Sequence, residues 1–285
     1  MPPVLSIITV NRNNASGLKA TIDSVVSQNF SDWQKIEYII IDGNSTDDSV
    51  EIIKSFISNP KTQNKISFWS SEPDTGIYNG MNKGIKKAHG KYCLFLNSGD
   101  TLNKESILEY ILQITQTEKD FYYSNYYFFK DGKNNLVSLP KQIDETYFLS
   151  NTINHQNCLI KKQLFKTIGL YDETYRILAD WDFYIKAFYK FNCSFEYCSE
   201  IFSNYESTGV SSTSTQSEKY WNERKLLVTK NFPDCPALID HYMKMEEEYK
   251  QSIWYEIKTK WGISRFLIFC MKVYRFFVRR ICKEK

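Results

Sequence analysis

The sequence lacks closely paired cysteines, long uncharged apolar runs and every common glycine-rich phosphate loop. Its seven cysteines are Cys93, Cys158, Cys193, Cys198, Cys235, Cys270 and Cys282. None forms a CxxC, and no three-ligand Cys/His cluster exists. An odd number of thiols, in a chain long enough to build a core without staples, reads as free cysteines in a reducing compartment. No run of about 18 uncharged apolar residues is present, so no membrane span is expected. The opening MPPVLSIITV has no basic n-region and enters a strand at once, unlike a secretory signal. TVNRNNASG follows the first strand where a dinucleotide enzyme would carry GxGxxG, and GxxxxGK[ST], GxSxG and HExxH are missing too. A strong excess of one charge is also absent: 36 basic against 33 acidic residues gives +3. That argues against a nucleic-acid partner.

What is present is a packed globular composition. The 285 residues are 42% hydrophobic and 24% charged, with 20 Tyr and 19 Phe against 11 Gly. The charge is unevenly placed. From Ile257 to Lys285 there are nine Lys or Arg and one acid, Glu284, leaving 27 basic and 32 acidic residues in the body. The body is mildly acidic and the tail strongly basic.

The first hundred residues alternate strand and helix patterns. Apolar, β-branched runs predict strands over Val4–Val10, Ile36–Ile41, Lys65–Trp69 and Tyr92–Leu96. Helices are predicted over Ser16–Gln28, from Ser45 onward, and over Ile77–Ala88, the last interrupted by Gly80 and Gly84. This is a βαβ series with a largely parallel sheet. Further on, the pattern predicts a helix over Asn103–Gln113 and one aromatic strand over Phe121–Lys130. Helices over Lys161–Ile168 and from Asp180 through Tyr189 and a strand over Cys193–Tyr197 follow. Ser207–Ser217 reads as a Gly/Ser/Thr loop, and Lys219–Lys230, Pro236–Glu256 and Ile263–Val278 as helices. Neither linker nor repeat is evident.

In a parallel sheet, ligands bind past the carboxyl ends of the strands. Asp42 and Asp100 stand at two such ends. Either acid alone could be a loop cap, but two at corresponding ends favour a shared site. A strand-end acid can hydrogen-bond a base or sugar, or hold a hard cation against a diphosphate. Asp74 and Asp180 complete the set. Asp180, opening a helix in ADWD, could take a proton from a hydroxyl; its position is equally that of a helix cap.

Five segments, LSIITVNRN, EYIIIDGNSTDDS, SEPDTGIYNGMNKGIKKAHGKY, LFLNSGD and ILADWDFYIK, resemble the family-2 glycosyltransferases with the GT-A fold. They occur in that family's order and spacing over residues 4 to about 190. The resemblance implies a nucleotide-diphospho-sugar transferase fold, α/β with a mostly parallel central sheet flanked by helices and a C-terminal helical extension. Residues 1–100 would form the nucleotide-binding half, 101–218 the acceptor-binding and catalytic half, and 219–285 the C-terminal helices. It implies an inverting transfer from a nucleotide-sugar, a UDP-sugar above all, to an acceptor hydroxyl. Thr9, Asn11 and Arg12 would frame the nucleotide. Asp42 would bind the base, and Asp74 would help hold the nucleotide, with Gly76, Asn79 and Lys83 nearby. Leu96-Asn97-Ser98-Gly99-Asp100 departs from the family's LDADD or LDSDD pattern. Asn97 and Gly99 replace two of its carboxylates, Ser98 lies between them, and Asp100 remains as the ligand for Mn²⁺ or Mg²⁺. Ala179 replaces the Glu of the family's ED pair, and Asp180 is the implied catalytic base. Asp182 would be structural or an acceptor contact. His155 and Gln156 resemble the segment facing acceptor and donor sugar, and YESTGVSS the loop that closes over the donor.

In the tail, Trp261, Phe266, Phe269, Phe276 and Phe277 alternate with Arg265, Lys272, Arg275, Arg279 and Arg280. This is the pattern of a basic amphipathic helix on an anionic membrane surface. A helix packed on the body, or a homodimer contact, uses the same pattern. The membrane reading suits a lipid-linked saccharide acceptor in bacterial surface polysaccharide synthesis. It also suits a cytoplasmic enzyme peripheral to the inner face of the cell membrane. A sugar nucleotidyltransferase is the rival enzyme class, and a weakly catalytic sugar-nucleotide-binding scaffold the rival outside enzymes.

Overall fold

The computed structural model describes residues 2–130, 133–144, 146–206, 218–233 and 244. Its parallel half grows from four apolar runs. β1 (Leu5–Asn11) and β2 (Ile36–Asp42) are buried along their whole length, as strands covered on both faces must be. They pair in parallel, from Leu5 opposite Ile36 to Asn11 opposite Asp42. β3 (Phe68–Ser71) lies parallel outside β2, and β4 (Tyr92–Phe95) parallel on the other side of β1. The crossovers contain α1 (Ala15–Val26), α2 (Ser49–Ser58) and α3 (Ile77–Lys87). Leu18, Ile22 and Val25 of α1 join Ile53 of α2 in one core with Ile7, Tyr38 and Ile40 of the sheet.

Two expectations here are corrected. The second helix begins at Ser49, not Ser45. Ser45 gives its N–H and hydroxyl to Asp42, while Asp47 accepts from the backbone of Ala15 and Ser49. Those bonds hold residues 45–48 in a turn. Gly80 and Gly84 do not interrupt α3. A Cβ on Gly84 would lie 2.4 Å from Ile8 Cγ2, and one on Gly80 2.6 Å from Val10 Cγ1. The glycines let the helix lie directly on β1.

The second half continues with β5 (Thr101–Leu102), α4 (Ile107–Ile114), β6 (Phe121–Ser124), β7 (Tyr126–Lys130), β8 (Lys133–Val137) and α5 (Tyr147–Ser150). Then come β9 (Cys158–Lys161), α6 (Leu164–Thr167), α7 (Ala179–Ile185), β10 (Phe195–Cys198), β11 (Ser203–Glu206) and α8 (Glu218–Asn231). The large sheet has the order β10-β6-β9-β4-β1-β2-β3, and a small one has β5-β11-β7-β8. β9 runs antiparallel to both β4 and β6.

The aromatic run at 121–130 is two strands, not one. It breaks at Asn125, whose side-chain carbonyl accepts Leu139 N–H at 2.8 Å. β6 stays in the large sheet and β7 enters the small one. The helix expected over Lys161–Ile168 is likewise the end of β9, a turn and α6. α7 starts at Ala179, and residues 186–190 continue it as a π-helix. The first compact unit extends to Glu223 and the second starts at Arg224. Ser207–Ser217, Pro236–Glu256, Ile263–Val278 and the basic tail lie outside the described residues. Among the described residues no helix is long and apolar enough to cross a membrane, and Cys93, Cys158, Cys193 and Cys198 are free thiols.

Candidate active site

The strand register alone aligns three polar side chains. Asn11 lies opposite Asp42, and Asp42 opposite Ser71, at the carboxyl ends of β1, β2 and β3. Asp42 accepts Asn11 Nδ2 at 2.7 Å and Ser45 Oγ at 2.6 Å on one oxygen. The other takes Ser45 N–H at 2.9 Å and Ser71 Oγ at 2.6 Å. Burial alone would raise the Asp42 carboxyl, but these donors outweigh it and hold it below its ordinary value.

Beside this rung, Asp74 accepts Gly76 N–H at 3.1 Å and lies 3.4 Å from Arg12 Nη1. Gly43 has no side chain where Asp74 lies: an added Cβ would fall 2.2 Å from its Oδ2. Gly76 has φ +143°, and its missing Cβ would fall 2.6 Å from Arg176 Nη1. Arg12 and Arg176 thus both reach the 74–76 turn. Thr9 is deeper, fully buried, its hydroxyl 3.1 Å from Tyr38 Oη. Asn79 donates to Glu173 and Lys83 to the Pro73 carbonyl, so these two side chains brace α3 against its surroundings.

The 97–100 turn is fixed by α1. Thr21 Oγ accepts Gly99 N–H at 2.9 Å and donates to Asp100 O at 2.7 Å. Asn14 donates to the Ser98 carbonyl at 3.0 Å. Gly99, at φ +107°, takes a left-handed conformation that suits glycine. Asp100 is 4% exposed. Asn97 Nδ2 lies 2.7 Å from His155 Nε2.

Asp180 is in the first turn of α7, where a carboxylate suits the helix dipole. Its Oδ1 accepts Trp181 N–H at 2.9 Å and lies 3.0 Å from Tyr78 Oη. Its Oδ2 lies 3.1 Å from His155 Nδ1. Both Asp180 and His155 are buried. Just before them, Glu223 of α8 accepts three successive backbone N–H groups, those of Arg176, Ile177 and Leu178, at 2.7, 2.8 and 3.2 Å. Asp182 is buried and paired with Lys186 one turn along. The structure therefore joins Asn97, His155, Asp180 and Tyr78 in one bonded series, starting from the turn that bears Asp100.

Residues 6–169 match the family described as Glycosyl transferase family 2. The chain belongs to this family. A PGL/p-HBAD biosynthesis glycosyltransferase of Mycobacterium tuberculosis is 32% identical over 188 residues, covering 65% of this chain and 70% of that protein. An uncharacterised glycosyltransferase of the same species is 28% identical over 269 residues, covering 90% of this chain and 97% of the other. The fold is that of S. aureus TarS 1-349, solved with UDP-GlcNAc (TM-score 0.65, 16% identity, 90% of this chain and 76% of that one). It is also that of a Pyrobaculum calidifontis mannosyltransferase solved with GDP-Man and Mn²⁺ (TM-score 0.60, 12% identity, 85% and 69%). This family-2 chain is thus a transferase enzyme with the expected α/β fold.

Tyr78, Arg176 and Glu223 were not marked by sequence reasoning. Tyr78 lies inside the matched GIYNG segment, so its neighbourhood was visible but its contact was not. Glu223 has no local signal at all. A metal also has little protein to hold it. Among the described residues no group of three or more His, Cys, Asp or Glu lies together, and the 97–100 turn offers one carboxylate. One hard oxygen ligand fits Mg²⁺ or Mn²⁺ only where substrate oxygens and water supply the rest of the shell.

Proposed function

We propose that the chain is an inverting glycosyltransferase that moves a sugar from a nucleotide-diphosphate donor, a UDP-sugar, to a hydroxyl of a glycan or lipid-linked acceptor in bacterial surface polysaccharide synthesis. The observation that carries this reading is the bonded series from the Asp100 turn to Asp180. It ties the carboxylate nearest the diphosphate side to a second one suited to the acceptor.

Asp180 accepts the acceptor's hydroxyl proton. The acceptor oxygen bonds to the anomeric carbon as the bond from that carbon to the diphosphate breaks. One displacement with one base inverts the centre. Arg12 and Arg176 meet the charge on the departing diphosphate. Asp100 would hold Mn²⁺ or Mg²⁺, which when bound supplies charge neutralisation to that diphosphate. Asn11 and the Ser45 and Ser71 hydroxyls shape the nucleotide end. Because all four acceptor positions of Asp42 are taken, a base reaching it displaces one of those hydroxyls. TarS with UDP-GlcNAc and the mannosyltransferase with GDP-Man support a nucleotide-diphosphate sugar as donor. The basic tail supports a cytoplasmic protein seated on an anionic membrane.

The test is a panel of UDP-sugars with Mn²⁺ and lipid-linked acceptors, read as UDP release and product mass. Asp180→Asn should keep UDP affinity and lose roughly a hundredfold or more in transfer. Transfer near the wild-type rate removes Asp180 as base. Nucleotide-sugar binding without turnover of any donor favours the scaffold.

A further inference from the structure

Asn97 and His155 are joined by a contact whose direction has chemical content. Asn97 Nδ2 lies 2.7 Å from His155 Nε2, and His155 Nδ1 lies 3.1 Å from Asp180 Oδ2. An amide nitrogen only donates, and a carboxylate only accepts. With the amide in this orientation, the imidazole between them accepts at Nε2 and donates from Nδ1. That is one tautomer of the ring, set from both sides. Asp180 Oδ1 accepts Trp181 N–H and faces the Tyr78 hydroxyl. On Oδ2, His155 fills one of two acceptor positions, and among the described residues no other donor takes the second.

We propose that Asn97 and His155 are positioning residues: Asn97 sets the tautomer of His155, and His155 holds Asp180 so that one Oδ2 lone pair faces the incoming hydroxyl. The role given to that lone pair rests on Asp180 being the base; the tautomer does not. The identity of residue 97 is decisive. A carboxylate there could only accept, so Nε2 would have to carry a proton. Nδ1 would then either face Asp180 with a bare lone pair or be protonated as well. The first arrangement loses the bond to Asp180. The second places an imidazolium against Asp180 and makes it a poorer base. An asparagine avoids both.

The one competing arrangement turns the amide so that Asn97 Oδ1 faces an Nε2–H, and it predicts the opposite ring proton. The chain has three histidines, His89, His155 and His241, so their ring nitrogens can be resolved by long-range ¹⁵N–¹H correlation on the full-length protein without substrate. His155→Gln assigns the signal. At about pH 7.5, His155 should show a protonated Nδ1 and a bare Nε2. Asn97→Asp should protonate Nε2. Its kcat should fall at least tenfold, a fraction of what general-base catalysis supplies, while UDP affinity stays within twofold. An Nε2–H or doubly protonated ring in the wild type overturns the proposal, as does an Asn97→Asp ring unchanged from wild type. A kcat unchanged in Asn97→Asp, with the tautomer switched, overturns the positioning role alone. The spectra are taken without donor or acceptor, so they stand whether or not Asp180→Asn supports the transferase reading.

Discussion

Tyr78 Oη lies 3.0 Å from Asp180 Oδ1 across 102 residues of sequence, and 2.7 Å from the Ile177 carbonyl. The phenol is buried. Burial, and then the charge of Asp180, push its ionisation well above the ordinary range, so it stays a donor at any working pH. Tyr78→Phe keeps the ring against Tyr171 and removes only the hydroxyl. We expect kcat to fall while UDP affinity holds, and stability to drop by about 1–2 kcal/mol. Steady-state kinetics with denaturant unfolding checks both. A kcat equal to wild type would mean that the hydroxyl serves the Ile177 carbonyl and not Asp180.

Gly84 lies one methyl short of a clash with Ile8 Cγ2. Gly84→Ala adds that methyl where α3 rests on β1. On helix propensity alone alanine would stabilise an interior position by about 1 kcal/mol. Overpacking against a fully buried isoleucine costs about 1–3 kcal/mol, so the net change should be destabilising. Ile8→Ala, which removes Cγ2, should make the added cost of Gly84→Ala smaller than it is in the wild type, and equilibrium unfolding of the two single variants and the double variant measures this. A Gly84→Ala protein more stable than wild type would show that the helix can move away freely.

Glu37 accepts Ser6 Oγ at 2.6 Å, His89 N–H at 2.7 Å and contacts His89 Nδ1 at 2.8 Å, at the amino end of β2. Burial raises its carboxyl, and these partners together bring it below its ordinary value. A carboxyl lowered on folding stabilises the native state above its unfolded pKa of roughly 4.3. That stability is lost as pH falls through the folded value. Glu37→Gln should therefore cost about 2 kcal/mol near neutrality, with the gap from wild type constant down to about pH 5 and closing in more acid solution. Urea unfolding across that range is the measurement, and a gap that widens toward acid would contradict it.

Removing residues 261–285 takes away seven of the chain's basic residues and one acid. The shortened protein should leave vesicles containing anionic lipid and keep its UDP affinity. Each basic residue near such a surface contributes about 1 kcal/mol, so the partition coefficient should fall by several orders of magnitude at low salt. Equal sedimentation of both forms with vesicles would assign the tail to another partner.

The parallel half was legible because its strands are buried on both faces and read as unbroken apolar runs. The acids at its tips were legible because a chain position at a strand end is also a place in space. Other features were not. Phe121–Lys130 has uniform aromatic character, and nothing local marks Asn125 as the point where the chain changes sheets; the Leu139 bond does that. Gly80 and Gly84 looked like interruptions because propensity sees the helix and not the strand beneath it. β9 was not predicted, and only its last residue, Lys161, falls in the run read as helix, since four residues between two partners owe their state to those partners. Asp180 was singled out through ADWD and its resemblance, but Tyr78 and Glu223 make their contacts across long sequence separations, where neither periodicity nor spacing has any reach.

The clasp that Glu223 makes on residues 176–178 has a mechanical consequence. Three amides in a row, ending two residues before Asp180, are gripped by one carboxylate from a helix far along the chain. A shift of Glu223 would move the backbone that leads into Asp180. The first turns of α8 are therefore a handle on the backbone that carries Asp180.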